Sequence, residues 1–230
     1  MKKVLITGAS QGIGQMIAQK FLDENCEVHN ISRHTPQYSH LHLHHWQADM
    51  VHYDQIEKVI QQIGQFDVLI NNAGYMNTLT AASYTWEEIQ KIMYVNLIHT
   101  MQLSIDVAEN IFKKQKSGRI ISMASIAGQI GHPDIWYGIS KAGLINGMRS
   151  LARSHAQHNI QTFSLAPGPV ETQMMQKIPI ERQKRLKEAT LNQQLCQTQE
   201  IAETAFWLAQ AAPNCLSGEV FDLNNGVNCR

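Results

Sequence analysis

Tyr137 and Lys141 stand four residues apart in a segment whose apolar residues have helical spacing. On a helix this spacing puts both side chains on one face. A phenol has a reference pKa near ~10, and a neighbouring ammonium lowers that pKa because it stabilises the phenolate. The pair can therefore supply the proton that an alkoxide needs when a hydride is added to a carbonyl group.

Ser125 and Asn96 are two further polar residues close to apolar elements. Ser125 follows an apolar run that predicts a strand, and it precedes Tyr137 by 12 residues. We interpret its hydroxyl as a group that orients the substrate oxygen, not as a nucleophile, because the sequence indicates no base-activated acyl chemistry. Ser122 competes for this role. Asn96 lies in an apolar helical stretch, where a buried structural amide is the alternative to a chemical role.

A glycine-rich loop lies between the first apolar run and the first helical segment. Glycine allows a sharp turn, a close approach of phosphate to backbone N–H groups, and a helix that starts close to the sheet. The N-terminus of that helix offers free amides and a partial positive charge to a pyrophosphate. An ordinary tight turn would not need three glycines. We expect the cofactor to contact Gly8, Ser10, Gln11, Gly12, Ile13 and Gly14.

Ser32 and Arg33 end the second predicted strand, where a dinucleotide-binding fold meets the adenosine ribose. An acidic residue there would bind both ribose hydroxyls and repel a 2′-phosphate, whereas a guanidinium can form a charge-assisted fork with that phosphate. The sequence therefore favours NADP(H) over NAD(H). A solvated surface arginine is the alternative.

Short apolar runs alternate with helical segments along the chain, which predicts a parallel sheet with crossover helices. The fold class we expect is α/β: a Rossmann-type, doubly wound, parallel seven-stranded sheet with helices on both faces, in a single domain over residues 1–230. The predicted strands are Val4–Thr7, Glu27–Ile31, His42–Gln47, Phe66–Ile70, Arg119–Met123, Gln161–Leu165 and Glu219–Leu223. The predicted helices are Ile13–Asp23, Gln55–Ile63, Trp86–Gln115, Tyr137–Gln157, Glu181–Glu188 and Glu200–Ala211.

Charge and cysteine content exclude several function classes. The 19 Lys and Arg residues balance the 19 Asp and Glu residues, so no net field favours nucleic acid or an anionic membrane. The four cysteines have no Cys-x-x-Cys pairing. No segment approaches the ~20 apolar residues of a membrane span, and the N-terminal apolar run is too short for a signal peptide. We expect a cytoplasmic protein with reduced thiols.

Five histidines lie within a short segment after the second predicted strand: His34, His40, His42, His44 and His45. No carboxylate or cysteine with suitable spacing accompanies them, so we interpret the segment as a solvated edge or loop and expect no metal site.

Taken together, the motifs resemble those of the short-chain dehydrogenase/reductase superfamily. The chain keeps them in the family's order, and they span nearly its whole length. The motifs are Gly8-x-x-x-Gly12-x-Gly14, Asn71-Asn72-Ala73-Gly74, Asn96, Ser125, Tyr137-x-x-x-Lys141, Pro167-Gly168-Pro169-Val170-Glu171-Thr172 and the ending Gly218–Gly226.

The resemblance implies an oxidoreductase that transfers a hydride between a nicotinamide cofactor and a carbonyl or alcohol. It implies that Tyr137 and Lys141 contact the cofactor, that Lys141 also holds the nicotinamide ribose, and that Asn96 helps to hold a proton-relaying water. It further assigns Asp49 and Met50 to the adenine, Asn72, Ala73 and Gly74 to the adenosine ribose, Pro167, Gly168 and Val170 to the nicotinamide side, and Thr172 to the carboxamide.

Among family members the chain looks most like 3-oxoacyl-carrier-protein reductases, so the implied substrate is a small-molecule carbonyl or acyl thioester. The segments Gly128–Trp136 and Glu171–Gln197 would cover the nicotinamide. Their apolar residues predict an apolar pocket wall for a ketone on an apolar body. The wall residues are Ile130, Trp136, Met174, Met175, Ile178, Ile180 and Leu195.

Two alternatives stay open: an NAD(P)-dependent diol or alcohol dehydrogenase of the same family, and a non-catalytic cofactor-binding regulator. The resemblance also implies a homotetramer that pairs through the helices Trp86–Gln115 and Tyr137–Gln157. One departure from the family is the connection between the second and third predicted strands, which is only about ten residues long and contains Pro36. We expect no helix there and an open rim around the adenosine.

Overall fold

Seven parallel strands form one sheet in this computed structural model, which describes residues 1–77, 79, 81–172, 175 and 179–228. The strands are β1 Lys3–Thr7, β2 Glu27–Ser32, β3 Leu43–Gln47, β4 Val68–Asn71, β5 Gly118–Met123, β6 Ile160–Pro167 and β7 Val220–Leu223. Their order across the sheet is β3-β2-β1-β4-β5-β6-β7, which confirms the predicted doubly wound fold class.

The helices lie on both faces of this sheet. They are α1 Gly12–Asp23, α2 Tyr53–Ile63, α3, α4 Ala127–Ile130, α5 Ile135–His155, α6 Ile180–Glu188 and α7 Thr198–Gln210. The long helix α3 consists of the successive segments Trp86–Met93, Tyr94–Ile98, His99–Val107, Ala108–Phe112 and Lys113–Gln115. All six predicted helices are present with small shifts at their ends, and the one-turn helix α4 was not predicted.

Each face of the sheet has its own hydrophobic core. Helices α1 and α7 cover one face, where Phe21 meets Phe206 edge-to-face with ring centroids 5.1 Å apart. Helices α2, α3 and α5 cover the other face and pack against side chains such as Leu69 of β4. Because β4 is covered on both sides, all four of its residues are buried, as a central parallel strand requires.

The strand order reverses between β1 and β4. The chain runs from β1 outward through β2 to β3, and then returns to pair β4 with the other edge of β1. At such a reversal the loops after the two strands diverge and leave a crevice at the carboxyl ends. The residues that follow Thr7 and Asn71 therefore border a ready-made binding cleft.

The connection between β2 and β3 contains no helix, as predicted. Tyr38 covers the core in its place and packs beside α1, where its hydroxyl donates a hydrogen bond to Ala9 O (2.9 Å). Burial raises the pKa of Tyr38 to about 12. The short connection is therefore tied directly to the glycine-rich loop. Among the helices in the described part of the chain, none has both the length and the apolarity to cross a bilayer.

Candidate active site

A cavity of about 740 Å³ opens at the carboxyl ends of the strands. Every predicted site residue except Asn96 lines this cavity. The predicted residues that line it are Gly8, Ser10, Gln11, Gly12, Ile13, Gly14, Ser32, Arg33, Asp49, Met50, Asn72, Ala73, Gly74, Ser125, Tyr137, Lys141, Pro167, Gly168, Val170 and Thr172.

The glycine-rich loop has the geometry of a phosphate cradle. Gly8 and Gly12 have φ values of +73° and +59°, a region that side chains rarely adopt. A Cβ on Gly14 would overlap Gly8 O and the Asn72 side chain. Helix α1 starts at this point, and no side chain of the described residues caps it. Its first amides therefore remain available to an anion, and the loop fits the dinucleotide that the sequence predicts.

Asn72 fixes this loop to the end of β4. Its Nδ2 donates to Thr7 O (3.1 Å) and to Gly8 O (2.9 Å), while the Thr7 hydroxyl accepts from the backbone N–H groups of Asn72 and Ala73, each at 3.1 Å. These bonds span the strand-order reversal. They join the glycine-rich loop after β1 to the residues after β4, and these two segments form the facing walls of the cleft.

Ser32 and Arg33 differ in how they face the cavity. The Ser32 hydroxyl donates to His34 O (2.9 Å) and accepts from Asn30 Nδ2 (3.0 Å), so it stabilises the turn after β2. The exposed Arg33 side chain forms neither a hydrogen bond nor an ion pair with any residue that the structure describes. Arg33 is thus the unpaired cation at this rim, and Ser32 is not a free donor.

Helix α3 braces the loop that carries Asp49 and Met50. His99 Nδ1 lies 2.7 Å from Met50 O, and its ring stacks on Tyr94 with centroids 4.8 Å apart. The Asp49 carboxylate accepts from Val51 N (3.0 Å), which turns the chain away from β3.

Tyr137, Ser125 and Lys141 converge at the opposite end of the cavity from Arg33. Burial raises the pKa of Tyr137, while the facing Ser125 hydroxyl lowers it and the negative charge of Asp134 raises it further. Lys141 is 3% exposed; its Nζ donates to Met123 O (2.7 Å) and lies 5.7 Å from the Tyr137 ring centroid. Burial lowers the pKa of Lys141 to about 8.

Asn96 lies behind the cavity wall, in a wider turn of α3 over Tyr94–Ile98. Its Oδ1 accepts from Tyr75 N (2.7 Å), and its Nδ2 donates to Tyr75 O (2.7 Å) and to Ser140 Oγ (3.1 Å). The buried side chain is therefore engaged in holding the loop after β4 against α5. Its part in a proton relay stays a prediction.

The segment after β6 lines the cavity with Pro167, Gly168, Val170 and Thr172, and its place beside the nicotinamide stays a prediction. Gly168 N donates to Leu223 O (2.9 Å), and a Cβ on Gly168 would lie 2.8 Å from Asn224 Cβ, so β7 packs tightly against this turn. The Thr172 hydroxyl has two long contacts, donating to Val170 O (3.5 Å) and accepting from Met175 N (3.4 Å). Its bond to a carboxamide stays a prediction.

Several lining residues were missed by sequence reasoning, and they make this end of the cavity more polar than predicted. Lys91, His132, Asp134 and Arg182 all line it. They come from α3, from the segment before α5 and from α6, and no sequence spacing relates them. An aspartate three residues before Tyr137 was the one available signal, since Asp caps helices well.

The predicted apolar wall is therefore partly wrong. Ile130 and Met175 line the cavity, but Trp136, Ile180 and Leu195 do not. Trp136 lies in the first turn of α5, and Ile180 begins α6 with its side chain exposed to solvent. Met174 and Ile178 lie outside the described residues.

The histidine segment meets a carboxylate that sequence reasoning overlooked. Glu27, His29 and His44 bring ligand atoms within 4.8 Å of one another on β2 and β3. Trp46 Nε1 donates to His29 Nδ1 (3.0 Å), which puts the His29 proton on Nε2, where it points to Glu27 (2.8 Å). A metal would need that nitrogen without its proton. The expectation of no metal stays a prediction.

Comparison with known proteins decides the family. A family model described as short chain dehydrogenase matches residues 2–183. The chain belongs to this family. The 3-oxoacyl-[acyl-carrier-protein] reductase FabG of Thermotoga maritima is 29% identical to it over 244 residues, covering 98% of this chain and 97% of that protein. FabG of Salmonella typhimurium is 30% identical over 237 residues, with the same coverage.

Solved structures share the fold of this short-chain dehydrogenase. The 4-hydroxyisoleucine dehydrogenase complexed with NADH superposes with a TM-score of 0.92 at 23% identity, covering 99% of this chain and 98% of that one. ElxO with NADP bound superposes with a TM-score of 0.87 at 27% identity, covering 98% of each chain. The protein is an oxidoreductase of a family that uses nicotinamide cofactors.

Proposed function

We propose that this short-chain dehydrogenase catalyses the NADP(H)-dependent reduction of a ketone to a secondary alcohol. The observation that carries the proposal is the convergence of Tyr137, Ser125 and Lys141 at one end of a cavity whose far rim is lined by the unpaired Arg33. The residues that would hold the cofactor are those of the glycine-rich loop, Arg33, and the segment after β6.

The mechanism follows from the chemistry of these side chains. The bound cofactor supplies or accepts the hydride. The Ser125 hydroxyl donates a hydrogen bond to the carbonyl oxygen and aligns it with the Tyr137 phenol. Because burial raises the pKa of Tyr137, the phenol is protonated at neutral pH and can give its proton to the forming alkoxide.

Lys141 supports the proton transfer from Tyr137. Its pKa of about 8 keeps most of the side chain protonated at pH 7, so the ammonium offsets the charge that Tyr137 acquires when it loses its proton. Reduction uses the protonated phenol directly, whereas oxidation of an alcohol needs the phenolate. We therefore expect alcohol oxidation to require a higher pH than ketone reduction.

Two classes of substrate are candidates. The similarity to 3-oxoacyl-[acyl-carrier-protein] reductases supports a 3-oxoacyl group, and Ile130 and Met175 provide apolar surface for it. The second candidate is a diol or hydroxyketone, the alternative that the sequence leaves open. A homotetramer and a cytoplasmic location remain predictions.

The test is an assay of NADPH and NADH oxidation, side by side, with a panel of ketones that includes a 3-oxoacyl thioester. We expect ketone-dependent oxidation of NADPH that exceeds oxidation of NADH. Absence of turnover with every ketone and both cofactors would refute the proposal and would support the alternative of a non-catalytic regulator.

A further inference from the structure

Two cations from different helices line the catalytic end of the cavity, Lys91 of α3 and Arg182 of α6. Lys91 is half-buried, and its Nζ lies 4.5 Å from the centroid of the Tyr75 ring. Tyr75 follows Gly74, where an added Cβ would lie 3.7 Å from Lys141 Nζ. The Lys91 ammonium therefore belongs to the end of the cavity that holds Lys141, not to the glycine-rich loop.

Arg182 lies on the face of α6 that borders the cavity. Leu186, four residues later and so on the same helix face, also lines the cavity, whereas the other cations of α6 do not. Burial lowers the pKa of His132, and the nearby charge of Arg182 lowers it further. The His132 ring packs edge-to-face with Tyr137, with centroids 5.4 Å apart. Arg182 is therefore close to a ring that contacts the catalytic phenol.

Neither cation forms an ion pair with a residue that the structure describes. Glu88 lies one turn before Lys91 on α3, but its carboxylate accepts from Thr85 N (2.9 Å) and from Asn77 Nδ2 (3.1 Å) instead. Both positive charges are therefore available to a ligand.

The acidic residues of the cavity wall do not offset these charges. Within the described lining they are Asp49 and Asp134. The Asp49 carboxylate lies after β3, where it accepts from Val51 N (3.0 Å). Asp134 is 4% exposed, and its carboxylate accepts from Tyr137 N (3.0 Å) and faces the Tyr84 hydroxyl. The catalytic end thus offers charged donors to a ligand and no carboxylate that a ligand can reach, which suits an anion.

We propose that Lys91 and Arg182 bind an anionic group, a carboxylate or a phosphate, on the ketone substrate. This inference rests on the proposed ketone reduction and deepens it, because it assigns the substrate to the class of charged ketones. An ammonium over an aromatic ring keeps N–H groups free, and a guanidinium forms two parallel hydrogen bonds with a carboxylate or a phosphate. A neutral ketone would leave both cations without such a partner.

The experiment compares ketones that differ in one charge, with NADPH as the reductant. The carboxylate pairs are 4-oxopentanoate and 3-oxobutanoate, each against its methyl ester, and the phosphate pair is hydroxyacetone phosphate against hydroxyacetone. We expect wild-type kcat/KM to favour the anion of at least one pair by about tenfold, since a hydrogen bond to a charged group is strong and the exposure of Arg182 lowers its value. Added KCl should reduce this preference. The pair that shows it identifies the anion.

Variants test whether the two cations cause the preference. Arg182→Gln and Lys91→Gln should each lower it severalfold, and Arg182→Lys, which keeps the charge, should retain most of it. Arg185→Gln on α6 and Lys114→Gln on α3 are the matched controls, because both cations are exposed and lie outside the cavity; they should leave the preference unchanged. A change that only loosened the fold would lower both members of a pair together.

The outcomes are distinct. Equal kcat/KM values within every pair, a preference that persists in both glutamine variants, or turnover of a neutral 3-oxoacyl thioester alone would overturn the anion site and leave ketone reduction intact. Absence of turnover with all of these ketones and with the thioester would overturn the proposed function itself.

Discussion

At the residue scale, Lys141 is a buried ammonium that faces no carboxylate among the described residues. Its one hydrogen bond goes to Met123 O, and burial lowers its pKa from 10.5 to about 8. Unfolding restores the ordinary value. Below pH ~8 both states hold the proton and the folded state carries the full cost of burying it. As pH rises from 8 toward 10.5 that cost disappears, so this group makes the folded state more stable with rising pH.

The first prediction follows from the cost of burying the charged Lys141, which is largest below pH ~8. Lys141→Met, which keeps the length and removes the charge, should raise the free energy of unfolding of the cofactor-free protein by about 1–2 kcal/mol at pH 7, after loss of the bond to Met123 O. The gain should shrink above pH ~9. Denaturant unfolding at pH 7 and pH 10 measures it, with the exposed Lys58→Met as control. A gain that does not depend on pH would contradict the burial argument.

The second residue-scale prediction concerns Arg33. A bidentate charged contact is worth roughly 1.5–3 kcal/mol, and the exposed position of Arg33 lowers that value, so Arg33→Ala should weaken NADPH binding severalfold to about a hundredfold and leave NADH nearly unchanged. Fluorescence titration of both cofactors measures this. Arg153, exposed on α5 and outside the cavity, provides the control in Arg153→Ala. Equal losses for both cofactors in Arg33→Ala would mean that the arginine supports the fold only.

At the scale of elements, the β2–β3 connection has no crossover helix, and Tyr38 covers part of the core there instead. Tyr38→Phe keeps the packing beside α1 and deletes the hydrogen bond to Ala9 O, which lies in the glycine-rich loop. We expect a loss of about 0.5–1.5 kcal/mol in the free energy of unfolding, and cofactor binding weakened severalfold. Unfolding and cofactor titration of the variant measure both. Unchanged cofactor affinity would show that the loop keeps its conformation without this bond.

The elements were largely predictable because parallel strands are continuous apolar runs and the crossover helices keep a helical period. The residues at which the helices begin and end were harder to predict. The prediction started α5 at Tyr137, but it starts at Ile135 because the Asp134 side chain caps it. The cofactor end of the site followed from local motifs. The substrate end did not, because Lys91, Asp134 and Arg182 are brought together only by the packing of α3, α5 and α6.

At the scale of the whole molecule, α3 and α5 expose large apolar side chains that a monomer does not need. Ile98 and Ile105 on α3 are 46% and 41% exposed, and Ile139 on α5 is 46% exposed. These match the predicted pairing of the two helices with their copies. We expect light scattering to give four times the chain mass of 26.0 kDa, and we expect Ile139→Asp to lower the measured mass. A wild-type mass of one chain at micromolar concentration would contradict the tetramer.

The proposed ketone reduction depends on proton transfer from Tyr137, which Tyr137→Phe removes. The variant deletes the acid and keeps the ring, so NADPH should bind with an affinity within a few fold of wild type while turnover of the best ketone falls at least about a hundredfold. The measurement pairs cofactor titration with the rate of NADPH oxidation in the same preparation. Turnover close to wild type in Tyr137→Phe would show that Tyr137 is not the proton donor.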